Sequence, residues 1–310
     1  MPVYRDFAEV GFNKNTVISL GTFDGVHLGH RQIVGELKKK AAERGCRSLI
    51  ITFDPHPRTV LGNGNNNQLL TTTEEKVNLF ISGGCENVLV INFTKEFSQI
   101  PYDEFLNKYI GEQIGLDSII VGHDHRFGRG REGDFEKIEE LGRRTGFTAF
   151  YVPQYKIHDI AVSSSNIRDL IKAGGIVSAN KLLGWEYSLQ GEIVEGFRRG
   201  RTLGFPTANI GKIAPEKILP GNGVYAVNVH LSGEVLTGAL NLGVRPTFEG
   251  EPVVLPEVHI FDFNREVYGE KVKVSFVEKI RDEKKFASVE ELKTQIGADI
   301  SRCIEIFNKV

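Results

Sequence analysis

The run Gly21-Thr22-Phe23-Asp24-Gly25-Val26-His27-Leu28-Gly29-His30 sets two histidines three residues apart with a glycine between them. Gly21, Gly25 and Gly29 let the backbone turn sharply and come close to a ligand. A helix pattern begins at His30, and a helix N-terminus offers unpaired N–H groups and a positive dipole end, which suit an anion. Both imidazoles can then face one phosphate without relaying a proton. Their chemistry would be stabilisation of charge on a transferred phosphorus centre and on its leaving group. For either histidine alone, an incidental cap on a strand–turn–helix is the plain reading; the pair on one such turn argues for a site. A metal pair is weaker still, because no third ligand has an obvious place.

Three further groups carry candidate chemistry. Ser163-Ser164-Ser165-Asn166-Ile167-Arg168 puts hydroxyls at a helix start and an arginine one turn on; a helix cap with a surface arginine is the alternative. The run from Gly196 to Asn209 is a basic, glycine-rich loop followed by Pro206-Thr207-Ala208-Asn209. Gly196, Arg201 and Gly204 suit a nucleotide phosphate. The Thr207 hydroxyl and the Asn209 carbonyl are neutral oxygen ligands, suited to a Mg²⁺ that is otherwise held by water and phosphate oxygens. A β-turn with surface arginines is the competing reading. Finally, Glu257, His259 and Phe261 share one face of a strand, and alternation alone leaves Glu257 either solvent-facing or functional.

Hydrophobic spacing supplies the elements that must hold these groups. Strand-like runs at Thr16–Leu20, Ser48–Phe53, Val88–Phe93, Ser118–Val121 and Thr148–Val152 alternate with helix patterns at His30–Ala42 and from Thr73, Tyr102 and Asp134. Asp54-Pro55-His56-Pro57 reads as a helix breaker, and Gly62-Asn63-Gly64-Asn65-Asn66-Asn67 as a surface loop. The alternation predicts an α/β domain with a parallel sheet of nucleotidyltransferase-like type, its ligands at the carboxyl ends of the strands. The pattern changes near Leu183-Gly184-Trp185. Strand runs then follow one another at Tyr187–Val194, Gly223–His230, Val235–Gly243, Glu257–Phe263 and Lys271–Val277, which predicts a small antiparallel β-barrel. A tail helix from about Ser288 to Phe307 has Leu292, Ile296, Ile300, Ile304 and Phe307 as its apolar face. Residues 1–184 and 185–310 are the expected domains.

With 310 residues, 40% apolar and 25% charged, the chain has room for two ordinary globular cores. A net charge of −2 and the lack of a lysine/arginine stripe disfavour nucleic acid as a partner. No apolar run approaches the ~20 residues of a membrane span, and the N-terminus lacks the continuous apolar core of a signal peptide. Cys46, Cys85 and Cys303 form no redox-type or metal-type pair. A cytoplasmic protein is expected.

The Gly-x-Phe-Asp-Gly-x-His-x-Gly-His run resembles the FMN adenylyltransferase module of bacterial bifunctional riboflavin kinase/FMN adenylyltransferases. Phe53-Asp54-Pro55-His56-Pro57, Gly122-His123-Asp124-His125-Arg126-Phe127-Gly128 and Ser163–Arg168 match further segments of that module in order. Ser165 stands where the family has threonine, which keeps the hydroxyl; His125 stands where an aromatic residue is frequent. Gly191–Ile210 is similar to the riboflavin kinase module, marked by Pro-Thr-Ala-Asn. That likeness continues at Leu219–Tyr225, Asn241–Phe248, Glu257–Phe263 and Arg281–Phe286. Together the two modules span nearly the whole chain.

The resemblance implies phosphorylation of riboflavin to FMN and adenylylation of FMN to FAD, with ATP as substrate of both reactions and Mg²⁺ as cofactor. His27 and His30 would be catalytic in the second reaction. Gly21, Phe23, Asp24, Gly25, Gly29, Asp124, Ser163, Ser164, Ser165 and Arg168 would bind its nucleotide. Glu257 would be the general base of the first reaction, with Thr207 and Asn209 on the metal and Gly196, Arg201 and Gly204 on the nucleotide. A nucleotidyltransferase for another metabolite fused to an unrelated barrel is the nearest rival, disfavoured by the Pro-Thr-Ala-Asn segment and Glu257. A non-catalytic flavin or nucleotide sensor could dispense with His27 and Glu257, yet both are present.

Overall fold

A computed structural model describes residues 2–62, 68–123, 125–196, 200, 203–245 and 253–308, which fall into two compact units, Met1–Ser164 and Ser165–Val310. Of the predicted site residues, Asp124 and Arg201 lie outside the described residues, as do residues 63–67 of the polar loop, 197–199 of the basic loop and 246–248.

The first unit holds β1 (Val3–Tyr4), β2 (Thr16–Leu20), β3 (Arg47–Asp54), β4 (Val88–Asn92), β5 (Ser118–Gly122) and β6 (Thr148–Val152) in one parallel sheet, ordered β1-β4-β3-β2-β5-β6. β2 and β5 are buried along their whole length. A parallel sheet covered on both faces demands that, which is why these strands read as continuous apolar runs. Alternate residues serve opposite cores. Ile18, Leu49, Ile51, Ile119 and Val121 pack with Phe105, Ile110 and Leu141. Val17, Ile50, Val90 and Ile120 pack with Val34 and Leu37 of the helix Leu28–Arg44 and with Val77 and Phe80 of the helix Thr73–Ser82. Strand order reverses between β2 and β5, so the loop after β2 opens at the switch point where such folds take ligands.

The expected elements are present, with differences. β1 is additional; two residues carry no period to detect. The run 54–57 does not simply end a helix. β3 extends through Asp54, and a new helix, Pro57–Leu61, starts with proline in its first turn and His56 as cap, whose Nδ1 accepts from the Arg58 N–H at 3.1 Å. The helix at Tyr102–Glu104 continues as a π-helix over Phe105–Glu112. A short hairpin, β7 (Lys156–Ile157) and β8 (Ile160–Ala161), follows β6.

The second unit is a closed antiparallel barrel, ordered β10-β15-β12-β11-β16-β9, from β9 (Ser188–Val194), β10 (Ala208–Gly211), β11 (Gly223–Leu231), β12 (Glu234–Leu242), β15 (Glu257–Ile260) and β16 (Lys271–Arg281). A pair of two-residue strands, β13 (Val244–Arg245) and β14 (Val253–Val254), lies beside it. Closure leaves no barrel edge unpaired. β10 is not among the expected strands; its four residues are too few for alternation to show, and pairing with both β9 and β15 makes it a strand.

The tail helix Val289–Phe307 starts where expected, with Ser288 capping the Glu291 N–H. Its buried residues are Asp299, Cys303 and Ile306, whereas Ile304 is exposed. Each four-residue step turns about 40° around a helix, so the stripe begun at Leu292 rotates away from the barrel before Ile304.

The helices Ser164–Lys172 and Ile176–Leu183 fall in the second unit almost entirely. Asn180 Nδ2 donates to the Phe276 carbonyl at 2.9 Å, the Tyr187 N–H to Asn180 Oδ1 at 2.8 Å, and the Gly221 N–H to the Ile171 carbonyl at 3.1 Å.

Candidate active sites

The loop after β2 is folded against its own local preferences. Phe23 and Val26 have positive φ angles of 48° and 36°. Such a backbone is disfavoured for bulky and β-branched residues and persists only when surrounding contacts hold it. Those contacts are visible. The Gly21 N–H donates to the Ile51 carbonyl, and the Val26 N–H to the Phe23 carbonyl. Asp24 is buried, and its Oδ1 accepts from the Leu70 N–H at 2.9 Å and the Thr71 N–H at 3.1 Å. The Gly25 N–H donates to Thr71 Oγ1 at 3.0 Å, and Ser164 Oγ donates to the Asp24 carbonyl at 2.9 Å. Asp24, expected on the nucleotide, thus ties the loop to residues 70 and 71.

At the end of this loop His27 caps the helix Leu28–Arg44. Its Nδ1 accepts from the His30 N–H at 3.3 Å. The imidazoles of His27 and His30 stack with centroids 3.6 Å apart and planes 16° apart, and the Phe23 ring meets His30 edge-on at 5.3 Å. A Cβ on Gly29 would lie 3.2 Å from the His27 ring, so only glycine leaves that ring in place. His30 Nδ1 is buried without a hydrogen-bond partner. Burial, then the neighbouring His27 and Lys76, push the His30 imidazole well below its usual pKa. An arriving anion would favour its charged form again.

Ser163 is half-buried and Ser165 exposed; half-buried Arg168 follows Ser164 by one helical turn. His125 lies beside Phe127, centroids 5.4 Å apart, so an aromatic face remains where the family's ring is replaced. Sequence reasoning missed Lys76. It is 4% exposed and donates from Nζ to the carbonyls of Thr22 at 3.0 Å and Phe53 at 3.3 Å. The available signal was a lysine on the apolar side of its helix, four residues before Phe80.

In the second unit, strand register assembles the site. Asn209 on β10 and Asn241 on β12 are the cross-strand partners of Glu257 on β15. The Thr207 hydroxyl, two residues before Asn209 on the same face, donates to Glu257 Oε2 at 3.5 Å. Asn209 is buried, and its Oδ1 has no hydrogen-bond partner. A Cβ on Gly196 would lie 2.0 Å from Asn209 Nδ2 and one on Gly200 3.1 Å from Thr207 Oγ1, so these glycines admit the loop backbone against both side chains. Gly204 has a φ of 90° in the turn that leads into this segment.

Thr207 and Glu257 line a cavity of about 360 Å³, which is closed elsewhere by Phe286, Leu292, Ile296 and Ile300. Apolar residues of the tail helix, expected as barrel cover, thus form a wall able to take a flat aromatic ligand. Asp299, which the sequence did not single out, holds that wall: Arg281 Nε reaches both its oxygens at 2.9 Å.

A family model described as FAD synthetase matches residues 10–166, and one described as riboflavin kinase matches residues 183–307. The curated bifunctional riboflavin kinase/FMN adenylyltransferase of Bacillus subtilis is 38% identical over 301 residues, covering 95% of this chain and 93% of the relative. The relative of that name in Escherichia coli K12 is 34% identical over 292 residues, covering 94% and 92%. A crystal structure from Streptococcus pneumoniae, named as a macrolide-efflux protein, matches with a TM-score of 0.87 at 29% identity over 97% of both chains. Among the described residues of this chain no helix is long and apolar enough to cross a membrane.

Proposed function

The chain belongs to the family of bifunctional riboflavin kinase/FMN adenylyltransferases, and on that premise we propose which of its residues perform each reaction. It phosphorylates riboflavin with ATP to FMN and transfers AMP from ATP to FMN, giving FAD and pyrophosphate.

The kinase assignment rests on one observation: Thr207 and Glu257 line a cavity with an apolar wall, and Asn209 is the direct cross-strand partner of Glu257. The isoalloxazine ring would lie on that wall, with the ribityl 5′-hydroxyl at Glu257. Glu257 accepts the hydroxyl proton as the oxygen attacks the γ-phosphorus. The unpartnered Asn209 carbonyl oxygen and the Thr207 hydroxyl fit a hard cation. Mg²⁺ held there would neutralise charge on the ATP phosphates. Gly196, Arg201 and Gly204 are assigned to the ATP phosphates.

In the adenylyltransferase site FMN already carries an ionised phosphate, so the protein need not remove a proton. His27 and His30, at the helix N-terminus, stabilise charge on the transferred α-phosphoryl group and on pyrophosphate. The loop around Gly21, Phe23, Gly25 and Gly29 holds the rings in place, with Asp24 anchoring it. Asp124, Ser163, Ser164, Ser165 and Arg168 complete the nucleotide site. Free Cys46, Cys85 and Cys303 and dependence on ATP suit the cytoplasm.

The purified chain with riboflavin, ATP and Mg²⁺ should yield FMN and then FAD, with ADP and pyrophosphate, on chromatographic separation. Excess EDTA should stop FMN formation and added Mg²⁺ restore it. Absence of both products at every Mg²⁺ concentration would remove the reading.

We place the boundary between the two activities at 184/185, where strand–helix alternation gives way to consecutive strands; the riboflavin kinase model begins two residues earlier, at 183. Fragments 165–310 and 185–310 should both phosphorylate riboflavin and form no FAD. The longer keeps the hydrogen bonds of Asn180 and Ile171, each worth about 1 kcal/mol. It should melt about 5–15 °C higher. A folded fragment without kinase activity would show that the first unit supplies part of that site.

A further inference from the structure

Lys76 has no part in the assignments above, yet its placement is costly. An ammonium taken almost wholly out of water loses several kcal/mol of solvation that an apolar side chain would not. Packed with Val77 and Phe80 against the core, a methionine would fill the same position on the helix Thr73–Ser82 without that loss. The ammonium instead joins two carbonyls on neighbouring stretches of chain. Phe53 lies near the carboxyl end of β3, and Thr22 belongs to the loop that leads to His27. The Thr22 carbonyl also accepts from Thr52 Oγ1 at 3.3 Å, and Thr73 Oγ1 donates to Asp54 Oδ1 at 2.9 Å, so helix, strand end and loop are laced together at one place.

We propose that Lys76 is a positioning residue for adenylyl transfer: its buried ammonium ties the Thr22 carbonyl to the Phe53 carbonyl, fixing the glycine loop, and sets a positive charge beside the His27–His30 pair. The inference rests on the reading of that pair as the adenylyltransferase site. The loop's strained residues, Phe23 and Val26, need outside restraint, and Lys76 restrains it one residue before Phe23. Its charge acts in a dry surrounding, where phosphate charge is felt with little screening.

The charged groups facing Lys76 are Asp24 from the loop, Asp54 from β3 and His30 when protonated; those facing His30 are His27 and Lys76. Burial lowers the Lys76 ammonium to about 8, against the pull of both carboxylates, so it is still charged at pH 7. Being charged, it opposes protonation of His30. Removing the charge must therefore raise the His30 pKa, an effect that lost packing alone would not produce.

The test is Lys76→Met in the full chain. FAD formation from supplied FMN should fall about 10- to 100-fold in kcat, the size expected when a reacting constellation is displaced by about 1 Å. FMN formation from riboflavin on the same chain should be unchanged, reporting that the protein is folded. In a pH titration followed by NMR, the His30 ring signal, assigned by its loss in His30→Ala, should titrate at a higher pKa than in the wild type. Lys76→Arg, which keeps charge and donors, should recover part of the rate and leave the titration near wild type. If Lys76→Met does not fold, Lys76→Gln carries the same two measurements. Wild-type FAD formation in the uncharged variant, or an unmoved His30 titration, overturns the proposal. His30→Ala serves as the parallel control: if it too forms FAD normally, the histidine assignment has failed, whereas an inactive His30→Ala beside a fully active Lys76→Met sinks the Lys76 inference alone.

Discussion

Glu257→Gln is expected to lower FMN formation by about 10²–10⁴, the range for loss of a general base, while FAD formation from supplied FMN continues at the wild-type rate. Glutamine keeps the length and shape of the side chain and can still accept a hydrogen bond from Thr207 through its amide oxygen. It cannot take a proton from the riboflavin hydroxyl, whose own pKa is far above neutral. Glu257 is half-buried on a strand whose alternate residues, Val258 and Ile260, face the barrel interior, so the change leaves the core untouched. The loss should appear in kcat, because the apolar wall of Phe286, Leu292 and Ile296 that would hold the flavin ring is intact. A wild-type kinase rate in this variant would take Glu257 out of the mechanism, and loss of both activities would indicate misfolding.

His30→Ala should reduce FAD formation by about 10²–10³, as expected for one donor to a developing negative charge, and leave FMN formation nearly unchanged. The substitution is local. The His30 backbone N–H, which His27 Nδ1 caps, is retained, so the helix start at Leu28 keeps its cap. What is lost is the ring stacked on His27 and its unpartnered buried Nδ1. His27 would then keep its position but lack its neighbour, so the double variant His27→Ala/His30→Ala should be little worse than the worse single one, as for groups that act as a unit. Equal loss of both activities in His30→Ala would sink the assignment.

The two reactions were legible in the sequence because their marks are local. Turn chemistry at Gly21–His30 and Pro206–Asn209, strand runs separated by helix patterns, and the change of pattern near Trp185 each need only a few adjacent residues to be seen. Both the parallel sheet and the barrel follow from them, since a period of two or of 3.6 is set by the backbone of each element alone. Elements too short to show a period escaped: β1, β10 and the helix Pro57–Leu61. In the tail helix the spacing gave the element but not the rotation of its buried seam, which the barrel surface chose by packing Cys303 and Ile306 near Ala226 and Ala239.

Which polar residues meet was decided by tertiary structure. Nothing local tells that Asp24 anchors the Leu70 and Thr71 amides, that Arg281 grips Asp299, or that buried Lys76 donates to the glycine loop at Thr22. Asn209 and Glu257 are 48 residues apart in the chain and become direct neighbours only through the register of β10 on β15. Register and helix rotation are set by the packing of all the elements together, and a one-residue slip would carry Glu257 to the barrel interior. The amino-acid sequence thus determines which chemistry each segment is able to do, and the packing of distant segments determines which groups stand close enough to do it.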